Sequence, residues 1–136
     1  MRKQELDSWI KNGGDLPENL TVDEKSYLKD LGWTIEENWW RCGQRSCERY
    51  MLHGKKHGKE EGWWPSGKKG YKYYWLHGEK HGMLRTWWNS EDGQIRAVEC
   101  FHHGKKHGVW KKWNLDGTLV VHEEYAYGVF LKDFLK

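Results

Sequence analysis

The chain has 136 residues with 23 basic and 20 acidic side chains, a net charge of +3, and a length that usually makes one domain. A mean hydropathy of −1.05 leaves little apolar volume outside the aromatics, 11 of which are tryptophan. No apolar leader or bilayer-length stretch is present, so no membrane span is expected, and three cysteines cannot all pair, which favours a soluble protein in a reducing, intracellular setting.

Residues 1–36 read as helical. RKQELDSWIKN places Leu6, Trp9 and Ile10 on one helical face, and Asn12-Gly13-Gly14 stops it. Pro17 sits in the connection. Thr21 and Glu24 form a capping box, from which VDEKSYLKDL runs to Gly32 with a stripe of Tyr27, Leu28 and Leu31. Two roles stay open for this segment. It either plugs the open end of a sheet, whose edge would otherwise invite aggregation, or forms a docking motif.

From residue 37 to 136 the texture changes to a repeat. HGKKHG starts at His53 and again at His103, and HGEKHG starts at His77, with 24 residues separating the first two starts and 26 the next two. Such self-similarity means one supersecondary unit stacked on copies of itself. The units are MLHGKKHGKEEGWWPSG, WLHGEKHGMLRTWWNSEDG and FHHGKKHGVWKKWNLDG. A half-repeat carrying Trp39, Trp40 and Gly43 precedes them. The divergent YAYGVFLKDF follows, as a capping unit whose outer edge meets water.

Each unit reads as a β-hairpin, with Gly-containing turns between runs of Trp, Tyr, Val and Phe. Met51, Trp75, Phe101 and Tyr125 recur two residues before the turn histidine, and Cys47, Tyr71, Ala97 and Val121 recur six before it, so both sets share a face. On the following strands Trp39, Trp63, Trp87 and Trp113 form one column. An antiparallel meander follows, and its expected core is Trp39, Trp63, Trp75, Trp87, Phe101, Trp113 and Tyr125.

Strict alternation puts the neighbouring column, Trp40, Trp64 and Trp88, on the opposite face, extended by Tyr74 and Leu76. This stripe is the expected contact surface for another protein or a second copy, since exposed aromatic patches mark interaction sites. The alternative is that the sheet curls or the helices cover it.

The hairpin tips offer a second surface. Lys55, Lys56, His57, Lys80, His81, Lys105, Lys106 and His107 are candidates for binding the phosphates of nucleic acid or anionic lipid. Glu60, Glu61, Glu79, Glu91 and Asp92 dilute that charge, which favours a solvated face. The pairs His53/His57, His77/His81 and His103/His107 bracket tight turns, so the repeat alone explains them, and neither metal nor cofactor is expected. No nucleophile, base and orienting acid recur together, and Ser46, Ser66 and Ser90 sit at or near turns. An enzyme is therefore not expected.

Trp75, Gly78, His81, Gly82, Trp87 and Gly93, with the segment 108–128, resemble the MORN repeat family, in particular its bacterial and viral variant. The likeness covers roughly residues 38–136. The chain differs from the better-known eukaryotic repeat where extra glycines are replaced by Arg49, Tyr73 and Glu99 and by Glu60, Leu84 and Trp110. The resemblance implies an elongated, twisted meander of hairpins. It also implies a non-catalytic scaffold, adaptor or antitoxin-like role, or a structural component of a large-DNA-virus particle.

Overall fold

Each sheet unit is built from two kinds of turn, and both follow from the glycine positions. In the computed structural model, which describes residues 2–136, the dipeptides His53-Gly54, His77-Gly78, His103-Gly104 and Tyr127-Gly128 all have positive φ at both residues. The flanking pairs Leu76↔Glu79 and His102↔Lys105 close two-residue hairpins, whose mirror-image turn matches the twist of the strands. At the other end Gly43, Gly67, Gly93 and Gly117 supply the left-handed residue of a longer turn.

The helices form as the sequence predicts: α1 spans Lys3–Asn12 and α2 spans Val22–Asp30. The strands follow as β1 (Trp33–Trp39), β2 (Arg45–Leu52), β3 (Lys55–Trp63), β4 (Lys69–Leu76), β5 (Glu79–Lys80) and β6 (Gly82–Trp87). After them come β7 (Ile95–His102), β8 (Lys105–Lys106), β9 (Gly108–Trp113), β10 (Leu119–Ala126) and β11 (Val129–Asp133). All belong to one open antiparallel meander, in the order β1-β2-β3-β4-β6-β7-β9-β10-β11, with β5 beside β4 and β8 beside β7. The first strand thus begins inside the segment 1–36.

Both helices lie on one face of the sheet at its N-terminal end. Leu6 and Trp9 of α1 and Leu28 of α2 close over Trp33 and Leu52, with Ile10, Leu16, Leu20, Tyr27 and Tyr50 around them. The Thr21–Glu24 capping box forms in both directions. Glu24 also receives two bonds from the Arg2 guanidinium, each 3.0 Å long, tying the start of α1 to the start of α2. Those Arg2 bonds first, and the Thr21 N–H next, hold its carboxyl well below the usual range.

The core is therefore the helix–sheet junction, and the expected tryptophan ladder is not one. Trp39 is 58% exposed, and Trp63, Trp75, Trp87, Phe101, Trp113 and Tyr125 are half-buried. The face that carries Trp75, Phe101 and Tyr125 has no second layer, so rings there pack only along the sheet. Hydrophobic side chains there close over one another, as in Phe101 against Trp110 at 5.1 Å and Trp110 against Tyr125 at 5.7 Å.

Among the described residues no helix is long and apolar enough to cross a membrane. All three cysteines are unpaired, Cys47 buried, Cys100 half-buried and Cys42 exposed.

Candidate functional site: an open aromatic face between two stapled turn rows

Two rows of turns border the sheet; histidines stitch the steps of one, and tryptophans stitch two steps of the other. In the His-Gly row, Nδ1 of His57 accepts from the N–H of His77 at 3.0 Å. His81 accepts from His103, and His107 from Tyr127, each at 3.1 Å. Backbone bonds run beside these staples, from the N–H of Gly78, Gly104 and Gly128 to the carbonyls of Lys56, Lys80 and Lys106. The second histidine of each motif thus serves the fold. His57 lies fully buried, its Nε2–H donating to the Trp9 carbonyl at 2.7 Å, so it presents nothing to an anion.

The other row uses tryptophan. Trp40 donates its indole N–H to the Trp63 carbonyl at 2.8 Å, and Trp64 donates to the Trp87 carbonyl at 3.3 Å. Trp88 has no such partner; the Arg96 guanidinium lies 4.5 Å from its ring. The expected outward stripe is reproduced in part: Trp40, Trp64 and Trp88 border the helix-free face beside Tyr71 and Tyr73. The register shifts at Asn38/Trp39, Gly62/Trp63 and Thr86/Trp87, but the extra residue of each bulge, Ser46, Gly70 or Arg96, lies in the partner strand, so alternation along the tryptophan strands is kept. The Trp63 ring accordingly faces Arg45 and Lys69, which pair with Glu48 and Glu61, while Trp64 lines a groove with Tyr71 and Tyr73. Tyr74 and Leu76 are corrected: they lie on the helix side, where Tyr74 donates to Asp15 beyond α1, and Leu76, 8% exposed, lies under Gly13. Burial first and Asp15 second push the Tyr74 hydroxyl up to about 12.

The helix-free face holds the remaining aromatics, and its lysines cover them. Lys56 sits 4.5 Å from the Trp75 ring, Lys80 sits 5.1 Å from Phe101, and Lys106 sits 4.6 Å from Trp110 and 4.8 Å from Tyr125. Such contacts favour the ammonium where the ring faces it. Lys56 also pairs with Glu60 at 3.3 Å, and Lys59 with Glu61 at 2.8 Å. Only Lys55 and Lys105 of the proposed anion set stand exposed with no ion pair or ring contact among the described residues. Their stems rest beside Gly78 and Gly128.

Glu60 is the polar centre of this face, and sequence reasoning treated it only as diluting charge. It is 4% exposed and accepts from the Tyr71 hydroxyl at 2.8 Å and the Trp75 indole at 3.0 Å. Arg49 at 3.4 Å and Lys56 at 3.3 Å complete its partners. Burial first, then Glu60, raises the Tyr71 hydroxyl far above its usual range, so it stays protonated and keeps donating.

A groove of about 250 Å³ opens next to this network, lined by Trp40, Trp63, Trp64, Trp87, Tyr71 and Tyr73, with Arg96 at its rim. Its walls are mostly indole and phenol. The serines do not meet a base: Ser66 bonds Asn89, and Ser90 accepts from the Gln94 N–H. Sequence reasoning missed one further residue, His102, discussed below; its signal was a break at the repeat position held by Leu52 and Leu76.

No known family profile and no curated protein matches the chain.

Proposed function

We propose that the chain is a non-catalytic, MORN-type repeat scaffold that docks a polypeptide partner on its helix-free face. The supporting observation is the groove between Trp40, Trp63, Trp64 and Trp87, on the side that the chain's own helices leave open. Its size suits one apolar or aromatic side chain, and Trp, Tyr and Arg are the residue types that dominate protein contact energies. Charge on this face is largely matched internally, through Glu60 with Arg49 and Lys56 and through lysines over rings. That pattern favours an apolar anchor over a phosphate. A scaffold of this kind suits an adaptor, a structural component or an antitoxin-like binder alike.

Selection of peptides from a displayed library tests the reading. The expected ligands carry an aromatic or large aliphatic anchor, and their affinity changes less than threefold between low and high salt. Thr86→Phe fills the groove without removing an indole and weakens binding at least tenfold; Trp64→Ala does the same. Binding that instead collapses with salt, and disappears on changing Lys55, Lys56, Lys105 and Lys106 to Glu, replaces this reading with an anion-binding surface. Self-association that Thr86→Phe abolishes makes the partner a second copy.

A further inference from the structure

The repeat accounts for six turn histidines, but not for His102. Its equivalents are Leu52, Leu76 and Ala126, and the two leucines are buried beneath the N-terminal segment. Beyond the reach of α1 and α2 that apolar role lapses. The imidazole there stands 4.9 Å from the ring of His81, 4.6 Å from that of His103 and 5.6 Å from that of His107.

We propose that His81, His102 and His103 form a binding site for a zinc-class divalent transition metal. One ring nitrogen of each lies within 4.8 Å of the others. A tetrahedral ion holding nitrogens at ~2.0–2.1 Å needs them about 3.3 Å apart, a closure within reach of side-chain rotation. Neighbouring residues on a strand normally point to opposite faces. His103 escapes that rule because it has entered the turn with φ of 46°, which brings its ring back beside His102. Three imidazoles select zinc, nickel, cobalt or copper over magnesium and calcium, which take oxygen ligands.

The surroundings extend the site. Glu79 Oε1 lies 3.9 Å from Nδ1 of His103, placed to steady that ring while its other nitrogen binds metal. In the first unit the staple histidine, His57, satisfies its second nitrogen with the Trp9 carbonyl. His81 has no helix above it, and an ion takes the corresponding place. Coordination makes His81 give up the bond from the His103 N–H, one neutral hydrogen bond against three metal–nitrogen bonds. The two units on either side of β6 and β7 are then cross-linked.

The test uses the untagged full chain, metal-free at the outset. Zn²⁺ binding is measured by competition with a chromogenic chelator, and Co²⁺ binding by its visible absorption. One equivalent is expected, with Co²⁺ bands of a four-coordinate site and a shifted His103 amide signal on Zn²⁺ addition. His102→Leu restores the residue of the first two units, keeps the circular dichroism of the parent and weakens Zn²⁺ at least 100-fold. His103→Ala, at an exposed position, does likewise, while His53→Ala changes affinity less than threefold. Absence of saturable one-to-one binding overturns the site, as does equal binding by the parent and either cluster variant.

Discussion

The two ends of the sheet share a repeat but not an environment. Around β2–β4 the helices bury Leu52 and Leu76, and His57 closes a hydrogen-bonded path from Trp9 to His77. Around β7–β11 the same face is bare: His102 and Ala126 replace the leucines, and Val129, Phe130 and Leu131 are each more than half exposed. One hairpin pattern thus serves as a packed wall where a second layer exists and as an open display where none does. Stability belongs to the first region, and the proposed metal site to the second.

Removing Trp9 breaks this contrast most severely. Its indole is 1% exposed, lies against Gly58 and packs on Tyr50 and His57. Trp9→Ala is expected to cost about 3–5 kcal/mol in urea unfolding. A matched effect comes from Gly58→Ala, because a Cβ there would meet the indole nitrogen at 2.4 Å and the backbone φ is +82°. A far smaller loss from either change would show that the helices are not part of the cooperative unit.

A reciprocal exchange sharpens the comparison. Leu52→His puts an imidazole into the sealed junction and is expected to cost roughly 3 kcal/mol, from lost apolar burial and an unpaired ring nitrogen. His102→Leu, the reverse change in the bare region, alters the metal-free protein by less than about 1 kcal/mol. Equal costs at the two sites, measured in the same denaturant series, would refute the idea that helix cover alone separates them. Between these effects and the next lies the cap: Thr21→Ala removes the acceptor for Glu24 N–H and should cost about 1 kcal/mol.

The repeat made the hairpins legible, since glycine beside histidine at a fixed interval fixes where the chain must turn. The helices were equally readable, because Leu6 and Trp9, and Thr21 with Glu24, are short-range signals. What failed was the joining of columns across strands: the Trp63 ladder does not share the face of Trp75, nor the Trp64 column that of Tyr74 and Leu76. The bulges opposite Trp39, Trp63 and Trp87 insert Ser46, Gly70 and Arg96 into the partner strands, and a residue count does not reveal an extra residue in one strand. Cover was illegible for a similar reason. Tyr74 and Leu76 look like surface aromatics and aliphatics of any unit, and only the path of residues 13–15 across them decides their burial. His102 was readable as a departure from Leu52 and Leu76, yet its meaning depends on the ring positions of His81 and His103.

The smallest expected effect is a pH dependence, and it distinguishes the two regions without altering a residue. Burial is the main cause that lowers the His57 pKa below 6.5; the charged forms of His77 and His53 push the same way, and the Trp9 carbonyl opposes them. The neutral ring is the one that fits, since Nε2–H donates to Trp9 and Nδ1 must accept from His77. Below pH 6.5 the unfolded chain takes a proton there that the folded chain refuses. Stability is therefore complete above that pH and declines as acid is added, until the folded ring itself titrates. Melting temperature should fall between pH 7.5 and 5.5, by less than the loss caused by Thr21→Ala. In His57→Gln that slope should shrink, whereas in His107→Gln, at the bare end, it should persist. A slope that survives in His57→Gln and vanishes in His107→Gln would place the acid-sensitive contact at the wrong end of the sheet.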